Sequence, residues 1–241
     1  MTEENYYKTF LGARKETIKR FVKLYPEQYF EKEGDEKKQQ RDAMYMQEFA
    51  RISQHVDIKK NGRVLDIGCG RGDFLSLFPG NWEKYGIDIS EFALGEASKR
   101  GVITKFKLQD NFFDVILFRG TIQHISDPIF RVQECYYWLK PGGHTIFLVT
   151  PNANSLYYKF FNTLPLLNPT RNFFIPSDIV LKQILENFGF NVINIGYPYL
   201  GTPYAKPVRD MVNFCLKLLG IKKHVKFAFY KNIMEVYAKK P

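Results

Sequence analysis

The spacing of apolar side chains divides the chain into two kinds of segment. Over residues 36–58 the apolar positions recur every three or four residues among polar ones, which is the spacing of one helix face. We predict that residues 1–60 form an N-terminal helical segment, in which Gly34 separates this helix from a shorter one over 15–24. Asn61 and Gly62 then form a turn signal that ends the segment.

From residue 61 onward, short apolar runs alternate with longer amphipathic stretches. We predict strands over 63–67, 82–87, 114–118, 144–149, 191–196 and within 227–238. We predict helices from 73 onward and over 91–99, 128–139, 177–188 and 207–219. Alternation of strands and helices is typical of an α/β fold with a mostly parallel sheet and helices on both faces, so residues 61–241 are expected to form one such domain.

Three glycines form a loop between the first predicted strand and the helix pattern that follows it. They are Gly68, Gly70 and Gly72, in VLDIGCGRGDF. Such a loop lets a nucleotide-type ligand approach the backbone closely. Asp88 follows the second predicted strand, where a carboxylate can accept hydrogen bonds from both ribose hydroxyls. Together these residues predict a site for a nucleoside-containing cofactor.

Asp66, two residues before the first glycine, indicates which cofactor is bound. A carboxylate there would repel the pyrophosphate of a dinucleotide, which binds at a bare helix N-terminus. S-adenosylmethionine carries a cationic ammonium and a sulfonium and no phosphate, so an acid suits it. The alternative is that Asp66 caps the helix and the glycines only form a turn.

Four segments in this order resemble the motifs of the class I S-adenosylmethionine-dependent methyltransferases: VLDIGCGRGDF, YGIDIS, FFDVILFRGTIQHISDP and LKPGGHTIFLVTPN, across residues 63–152. The resemblance implies a Rossmann-like, mostly parallel seven-stranded sheet with an antiparallel C-terminal strand. It also implies methyl transfer with S-adenosylhomocysteine as product. The cofactor-binding residues expected on this basis are Asp66, Gly68, Cys69, Gly70, Asp88, Ile89, Gln109, Asp110 and Arg119.

The segment between the second helix and the fourth strand of the family pattern departs from it, because only GVITKFKLQDN stands there. Either the third strand is 103–108, with Gln109 or Asp110 contacting the adenine, or this region is shortened.

His124 is the candidate catalytic residue. It follows the strand predicted over 114–118, at the carboxyl edge where open α/β sheets bind ligands. Its near-neutral intrinsic pKa suits a base that removes the proton of a hydroxyl acceptor. The alternative is that His124 only packs against its loop. Arg119 could anchor the carboxylate of the cofactor or an anionic substrate, or pair with a surface acid.

The acceptor pocket is expected in segments inserted around the sheet, at about 151–178 and 197–224. The first mixes polar and aromatic side chains and is similar to segments of methyltransferases from bacterial surface-polysaccharide (capsule or O-antigen) gene clusters. That similarity implies a sugar, a sugar nucleotide or a phosphate-type group as acceptor. The predicted substrate-binding residues are Arg119, Asn152, Asn154, Tyr157, Tyr158 and Arg171. Alternatively, these aromatic residues form a satellite core beneath a long loop.

The charge of the chain is concentrated near its C-terminus. The 241 residues include 35 basic and 25 acidic side chains, a net charge of +10. Residues 61–150 are neutral, whereas residues 151–241 carry 12 basic and 4 acidic side chains, a net of +8. The part expected to bind the cofactor is thus neutral, and the part expected to bind the methyl acceptor is basic. This distribution of charge fits a small anionic acceptor at least as well as a nucleic acid, so nucleic acid is not the favoured partner.

These observations favour O-methylation of a small anionic or sugar-containing acceptor. The alternatives are an RNA or protein methyltransferase, or a non-catalytic cofactor-binding partner subunit. Cys69, Cys135 and Cys215 lack metal-ligand spacing, so neither a metal site nor a disulfide framework is expected. The chain begins without a basic region followed by an apolar run, and no run is long enough to span a bilayer, so we expect a cytoplasmic protein without a membrane span.

Overall fold

A computed structural model describes residues 35–165, 167, 171–221 and 224–241 of the chain. The helix predicted over 15–24 lies outside the described residues. Of the N-terminal segment, the described part begins with helix α1, Asp35–Ile52. Of the predicted insertions, 151–178 and 197–224 are described except at 166, 168–170 and 222–223.

The core of the described chain is a mixed sheet of six strands in the order β2-β1-β3-β4-β6-β5. The strands are β1 (Gly62–Ile67), β2 (Trp82–Ile87), β3 (Phe113–Arg119), β4 (Leu139–Pro151), β5 (Asn191–Gly196) and β6 (Ile233–Lys239). Strands β1 to β4 pair in parallel. Strand β6 runs antiparallel to both β4 and β5.

Helices cover both faces of the sheet. After α1 they are α2 (Glu91–Lys99), α3 (Pro128–Trp138), α4 (Leu156–Phe161), α5 (Asp178–Asn187) and α6 (Pro207–Leu218). In the described part of the chain, no helix combines the length and hydropathy needed to cross a membrane.

Residues 115–118 of strand β3 are all apolar because both faces of the strand are covered. Ile116 and Phe118 pack on one face with residues of α3 and α5, whereas Val115 and Leu117 pack on the other face with residues of α1 and α2. All four side chains are fully buried. A parallel strand covered on both faces has no solvent-exposed side, so its side chains do not alternate in polarity.

The structure corrects two predictions about the strands and helices. Of the two alternatives for 103–108, the structure shows the shortened region: one parallel bridge between Ile103 and Tyr85 stands in place of a strand, so the described sheet has six strands and not the seven that the resemblance implies. After the bridge, the Phe106 ring packs against the rings of Tyr85 and of Phe113 at the start of β3. The helix predicted from residue 73 is only a 3-10 turn, Leu75–Leu77.

The carboxyl ends of β1 to β4 meet at one edge of the sheet, and helix α1 packs beside that edge. The Tyr45 ring lies 5.3 Å from the Phe74 ring, and the Phe49 ring lies 5.1 Å from the Phe78 ring. Residues 74 and 78 follow the glycine loop. Helix α1 is therefore placed where it can form one wall of a site at the edge.

Candidate functional site

The glycine loop after β1 is packed too tightly for any other residue at its first position. Gly68 has φ +86°. A Cβ atom at Gly68 would lie 2.4 Å from Oγ1 of Thr121. The amides of Gly68 and Cys69 both donate to the carbonyl of Ile87, at 2.7 and 3.1 Å. The loop is therefore fixed between β2 and the segment that follows β3.

Asp88 is held by the same loop. Its carboxylate accepts hydrogen bonds from the amides of Gly70 and Ser90, both at 2.9 Å. A carboxylate has about four acceptor sites, so two amide donors leave capacity for hydroxyl groups of a ligand. Ile89 beside it is 45% exposed, although it is apolar.

A cavity of about 400 Å³ lies between the glycine loop and helix α1, within the size range of small-molecule sites. Its lining residues are Arg41, Tyr45, Asp66, Gly68, Cys69, Gly70, Arg71, Asp73, Phe74 and Arg119. Of the predicted cofactor-binding residues it thus brings together Asp66, Gly68, Cys69, Gly70 and Arg119. The contribution of α1 was missed, although a signal was present, since residues 41, 45, 48 and 52 share one helix face.

Asp66 presents a buried carboxylate in the wall of this cavity. The side chain is 2% exposed. Within the described residues its Oδ1 has no hydrogen-bond partner. Burial raises the pKa of Asp66 to about 7; Asp88 adds to the rise and the charge of Arg119 opposes it. A buried acceptor without a donor is costly, so this position fits a ligand that brings a cation.

Arg119, at the end of β3, forms a buried ion pair with α1. Its Nε lies 2.6 Å from Oε2 of Glu48, and a terminal nitrogen lies 3.2 Å from Oε1. The guanidinium also lies 4.2 Å from the centre of the Tyr45 ring. Burial disfavours the charge of Arg119, but the carboxylate of Glu48 outweighs this and the pKa is raised. Arg119 was considered as an anchor for the cofactor or a substrate and as the partner of a surface acid. The structure shows that it pairs with an acid, Glu48, which is buried and not on the surface.

His124 has a defined tautomer in the 3-10 turn Ile122–His124. Its Nδ1 lies 2.8 Å from the carbonyl oxygen of Arg171. A carbonyl only accepts hydrogen bonds, so Nδ1 carries the proton and Nε2 of the neutral ring keeps its lone pair. Burial lowers the pKa of His124; the bond to the Arg171 carbonyl opposes this in part, and the charge of Arg171 adds to the lowering. The ring is therefore neutral near pH 7 and able to accept a proton.

Two of the predicted substrate-binding residues, Asn152 and Asn154, form hydrogen bonds to other residues of the protein. Asn152 is fully buried, and its Oδ1 accepts from the amides of Asn154 and Asp178, at 2.9 and 3.1 Å. The side-chain amide of Asn154 donates to Asp178, which also accepts from the hydroxyl of Tyr197. This network fixes the start of α5. Neither Asn152 nor Asn154 lines the cavity. Within the described residues, the buried side-chain nitrogen of Asn152 has no hydrogen-bond partner.

Tyr157, Tyr158 and Arg171 also make contacts within the protein, and their predicted roles in binding a substrate stay predictions. Tyr157 is 1% exposed and lies in an aromatic cluster outside the sheet, with Phe214, Phe227 and Phe229. Tyr158 packs against that cluster. Arg171 is not among the cavity residues, and its backbone carbonyl orients His124. The satellite-core alternative therefore describes these aromatic residues.

Gln109 and Asp110 lie at the opposite edge of the sheet. The next residue, Asn111, accepts a hydrogen bond from the ammonium of Lys240, which also donates to the carbonyl of Leu139 at the start of β4. This is the amino edge of the parallel strands, whereas the cavity lies at the carboxyl edge. Neither Gln109 nor Asp110 is among the cavity residues, and the adenine contact predicted for them stays a prediction.

Among the residues that the structure describes, no group of three or more His, Cys, Asp and Glu side chains could hold a metal ion.

Comparisons with known proteins agree on a family. A family model described as "Methyltransferase domain" matches residues 37–195. Phosphoethanolamine N-methyltransferase 3 of Arabidopsis thaliana is 35% identical over 105 residues, which are 38% of this chain and 21% of that protein. Ubiquinone biosynthesis O-methyltransferase of Vibrio cholerae is 31% identical over 120 residues, 42% of this chain and 49% of that one. The chain thus spans about a fifth to a half of these curated relatives.

A solved structure shares the fold over nearly the whole chain. It is a protein of Thermotoga maritima titled as an S-adenosylmethionine-dependent methyltransferase, "possible histamine N-methyltransferase". The two structures agree with a TM-score of 0.59 at 21% identity, over 94% of this chain and 99% of that one. The likeness supports the Rossmann-like α/β fold.

Replacing Gly68 with alanine tests the packing of the glycine loop. The new Cβ would clash with Thr121 at a positive φ, so we expect the variant to lose about 1–3 kcal/mol of stability and at least about tenfold in affinity for S-adenosylmethionine. Thermal unfolding and calorimetric titration measure the two effects. Gly80→Ala is the matched control, because a Cβ there meets no atom within 4 Å. Equal behaviour of the two variants would contradict the account.

Replacing Asp66 with asparagine separates binding from stability. The pKa of Asp66 is raised in the folded protein, so wild-type stability falls as the pH rises from about 4 to 7, and this loss is absent from the variant. We expect Asp66→Asn to be more stable than wild type at pH 8, by on the order of 1–2 kcal/mol, and to bind S-adenosylmethionine at least about tenfold more weakly.

Denaturant unfolding at pH 5 and pH 8, with calorimetry, checks both effects of Asp66→Asn. Asp57→Asn, at an acid with a 53% exposed side chain, is the control and should change neither quantity. A variant that is less stable at pH 8 and retains wild-type affinity would refute the role assigned to Asp66.

Proposed function

This chain belongs to the methyltransferase-domain family, and from that membership we propose that it transfers a methyl group from S-adenosylmethionine to a small anionic or sugar-containing acceptor. The observation that carries the proposal is the unpartnered, buried Oδ1 of Asp66 in a cavity beside the glycine loop. An acid in this position favours a cationic ligand over a phosphorylated one. The product left in the site is S-adenosylhomocysteine.

Several residues at the carboxyl edge would hold the cofactor. Asp66 would accept from its ammonium, and Asp88, which two backbone amides fix, would accept from the ribose hydroxyls. Ile89 offers an exposed apolar surface for the adenine, and the backbone of Gly68 to Gly70 allows close approach. When bound, S-adenosylmethionine supplies an electrophilic methyl group on a sulfonium. Because such a transfer is an in-line displacement, the main task of the protein is to position the acceptor.

His124 is proposed as the general base for a hydroxyl acceptor. Its Nε2 carries the lone pair, since Nδ1 donates to the Arg171 carbonyl. The side-chain amide of Gln123 lies 3.4 Å from Nε2 and donates to it, so an acceptor hydroxyl would replace that contact. A neutral ring near pH 7 can take the acceptor proton as the new C–O bond forms. His124 does not line the cavity, but it follows Thr121, which lies against Gly68 of the glycine loop. An acceptor oxygen that is already ionised would not need this step.

The choice of a small, anionic acceptor is supported by the distribution of charge. Residues 151–241 carry a net charge of +8, and three of their four acids, Asp178, Asp210 and Glu235, are buried. The surface of this part is therefore almost free of negative charge. The surface-polysaccharide origin of the acceptor rests on the similarity of the segment over 151–178 alone.

A labelled-methyl assay with a panel of acceptors tests the proposed function. Incorporation from S-adenosylmethionine is expected with sugar nucleotides or sugar phosphates and not with total RNA or protein. Labelling of RNA alone would overturn the choice of acceptor. Absence of cofactor binding in calorimetry would overturn the proposed activity itself.

Replacement of His124 tests the base. With a hydroxyl acceptor we expect His124→Ala to lower kcat by roughly a hundredfold or more without loss of cofactor affinity. Since burial lowers the pKa of His124, the wild-type rate should rise with pH below neutrality and be flat above pH 7. His224→Ala, at an exposed histidine, is the control. A His124→Ala variant with near-wild-type turnover at pH 7 would exclude the base.

A further inference from the structure

Helix α6 exposes its apolar face. Val208, Met211, Val212, Leu218 and Leu219 are 81%, 54%, 52%, 47% and 73% exposed, and Cys215 between them is exposed as well. Their spacing of three and four residues makes one continuous stripe along the helix. A helix on the surface of a globular protein normally turns such a stripe toward the core.

The orientation of α6 is fixed by polar groups on its inner face. Asp210 is fully buried and accepts from the hydroxyl of Tyr199 and the amide of Lys206, at 2.9 and 2.8 Å. Phe214 stacks on Phe229 with 4.5 Å between the ring centres. Rotating the helix to bury its apolar stripe would break these contacts and leave a buried carboxylate without donors. The outward apolar face is therefore built into the fold.

Exposed cations lie on α6 and on the segments that pack with it, and exposed acids are scarce. Lys206 and Arg209 are exposed at the start of α6, where Arg209 also pairs with Asp210 at 3.2 Å. Lys159 and Lys226 are exposed on segments whose aromatic residues pack with Phe214. Asp210, the acid of the helix, is buried. An apolar stripe bordered by lysine and arginine is the pattern of helices that lie in a membrane interface, where the stripe enters the acyl region and the cations meet anionic headgroups.

We propose that α6 is a docking surface for a bilayer that carries anionic lipids. A second copy of this chain fits the face less well, because pairing of identical faces would bring their cations together. Helix α6 packs on the inserted segments that follow β4 at the carboxyl edge of the sheet, as the aromatic contacts of Phe214 with Phe161 show. Docking through α6 therefore places the bilayer on the same side of the domain as the cavity.

Vesicle co-sedimentation of the full-length protein tests this proposal. With phosphatidylcholine vesicles containing 30 mol% phosphatidylglycerol, we expect binding that weakens at least about tenfold on pure phosphatidylcholine or in 0.5 M salt. Met211→Gln/Leu219→Gln should weaken binding at least about tenfold through lost apolar burial. Lys206→Gln/Lys226→Gln should weaken it by about fivefold per lysine.

A double variant with matched exposed apolar residues serves as the control. Leu108→Gln/Tyr137→Gln changes side chains that are 38% and 53% exposed and lie near the amino edge, and it should bind vesicles like the wild type. All variants should retain wild-type affinity for S-adenosylmethionine, which keeps this test independent of the proposed activity. The proposal is wrong if the wild type stays in the supernatant with anionic vesicles. It is also wrong if lipid-free wild type is a dimer that Met211→Gln/Leu219→Gln converts to monomers in light scattering.

Discussion

The buried ion pair between Arg119 and Glu48 joins the two halves of the site. It links the end of β3 to α1, across 71 residues of sequence, with two hydrogen bonds. Removing one partner of such a pair leaves an uncompensated charge, at a typical cost of about 3–5 kcal/mol. Helix α1 is therefore tied to the carboxyl edge of the sheet, where it forms a wall of the cavity and brings Tyr45 against the guanidinium.

The same pair also affects the pKa of Asp66. Arg119 lowers the pKa of Asp66, but its hydrogen bonds are directed at Glu48, so burial dominates and the pKa stays at about 7. The glycine loop holds this carboxylate in the cavity wall and fixes Asp88 nearby. The site thus contains two carboxylates with different roles. The buried carboxylate of Asp66 is stabilised by a cationic ligand, and that of Asp88 can accept further hydrogen bonds. A nucleoside that carries a positive charge can use both.

The sequence predicted the parts of the site that depend on neighbouring residues. The glycines, Asp66 and Asp88 follow two adjacent strands, and their roles depend on where those strands end. It did not show which side chains are buried by distant partners: Asn152 is enclosed through Asp178, and Tyr157 through Phe214. It also did not decide between a third strand and a shortened region at 103–108, because the single bridge of Ile103 to Tyr85 depends on tertiary pairing. The outward apolar face of α6 depends on how Asp210 is buried, which the spacing of apolar residues alone does not show.

The central claim is that the cavity holds a partly protonated carboxylate until a cationic ligand binds. Calorimetric titration of S-adenosylmethionine in buffers of different ionisation enthalpy measures the protons released on binding. Because an ammonium near Asp66 lowers its pKa, the account predicts release of most of one proton at pH 6 by the wild type and almost none by Asp66→Asn. Binding by the wild type at pH 6 without proton release, or with proton uptake, would contradict it.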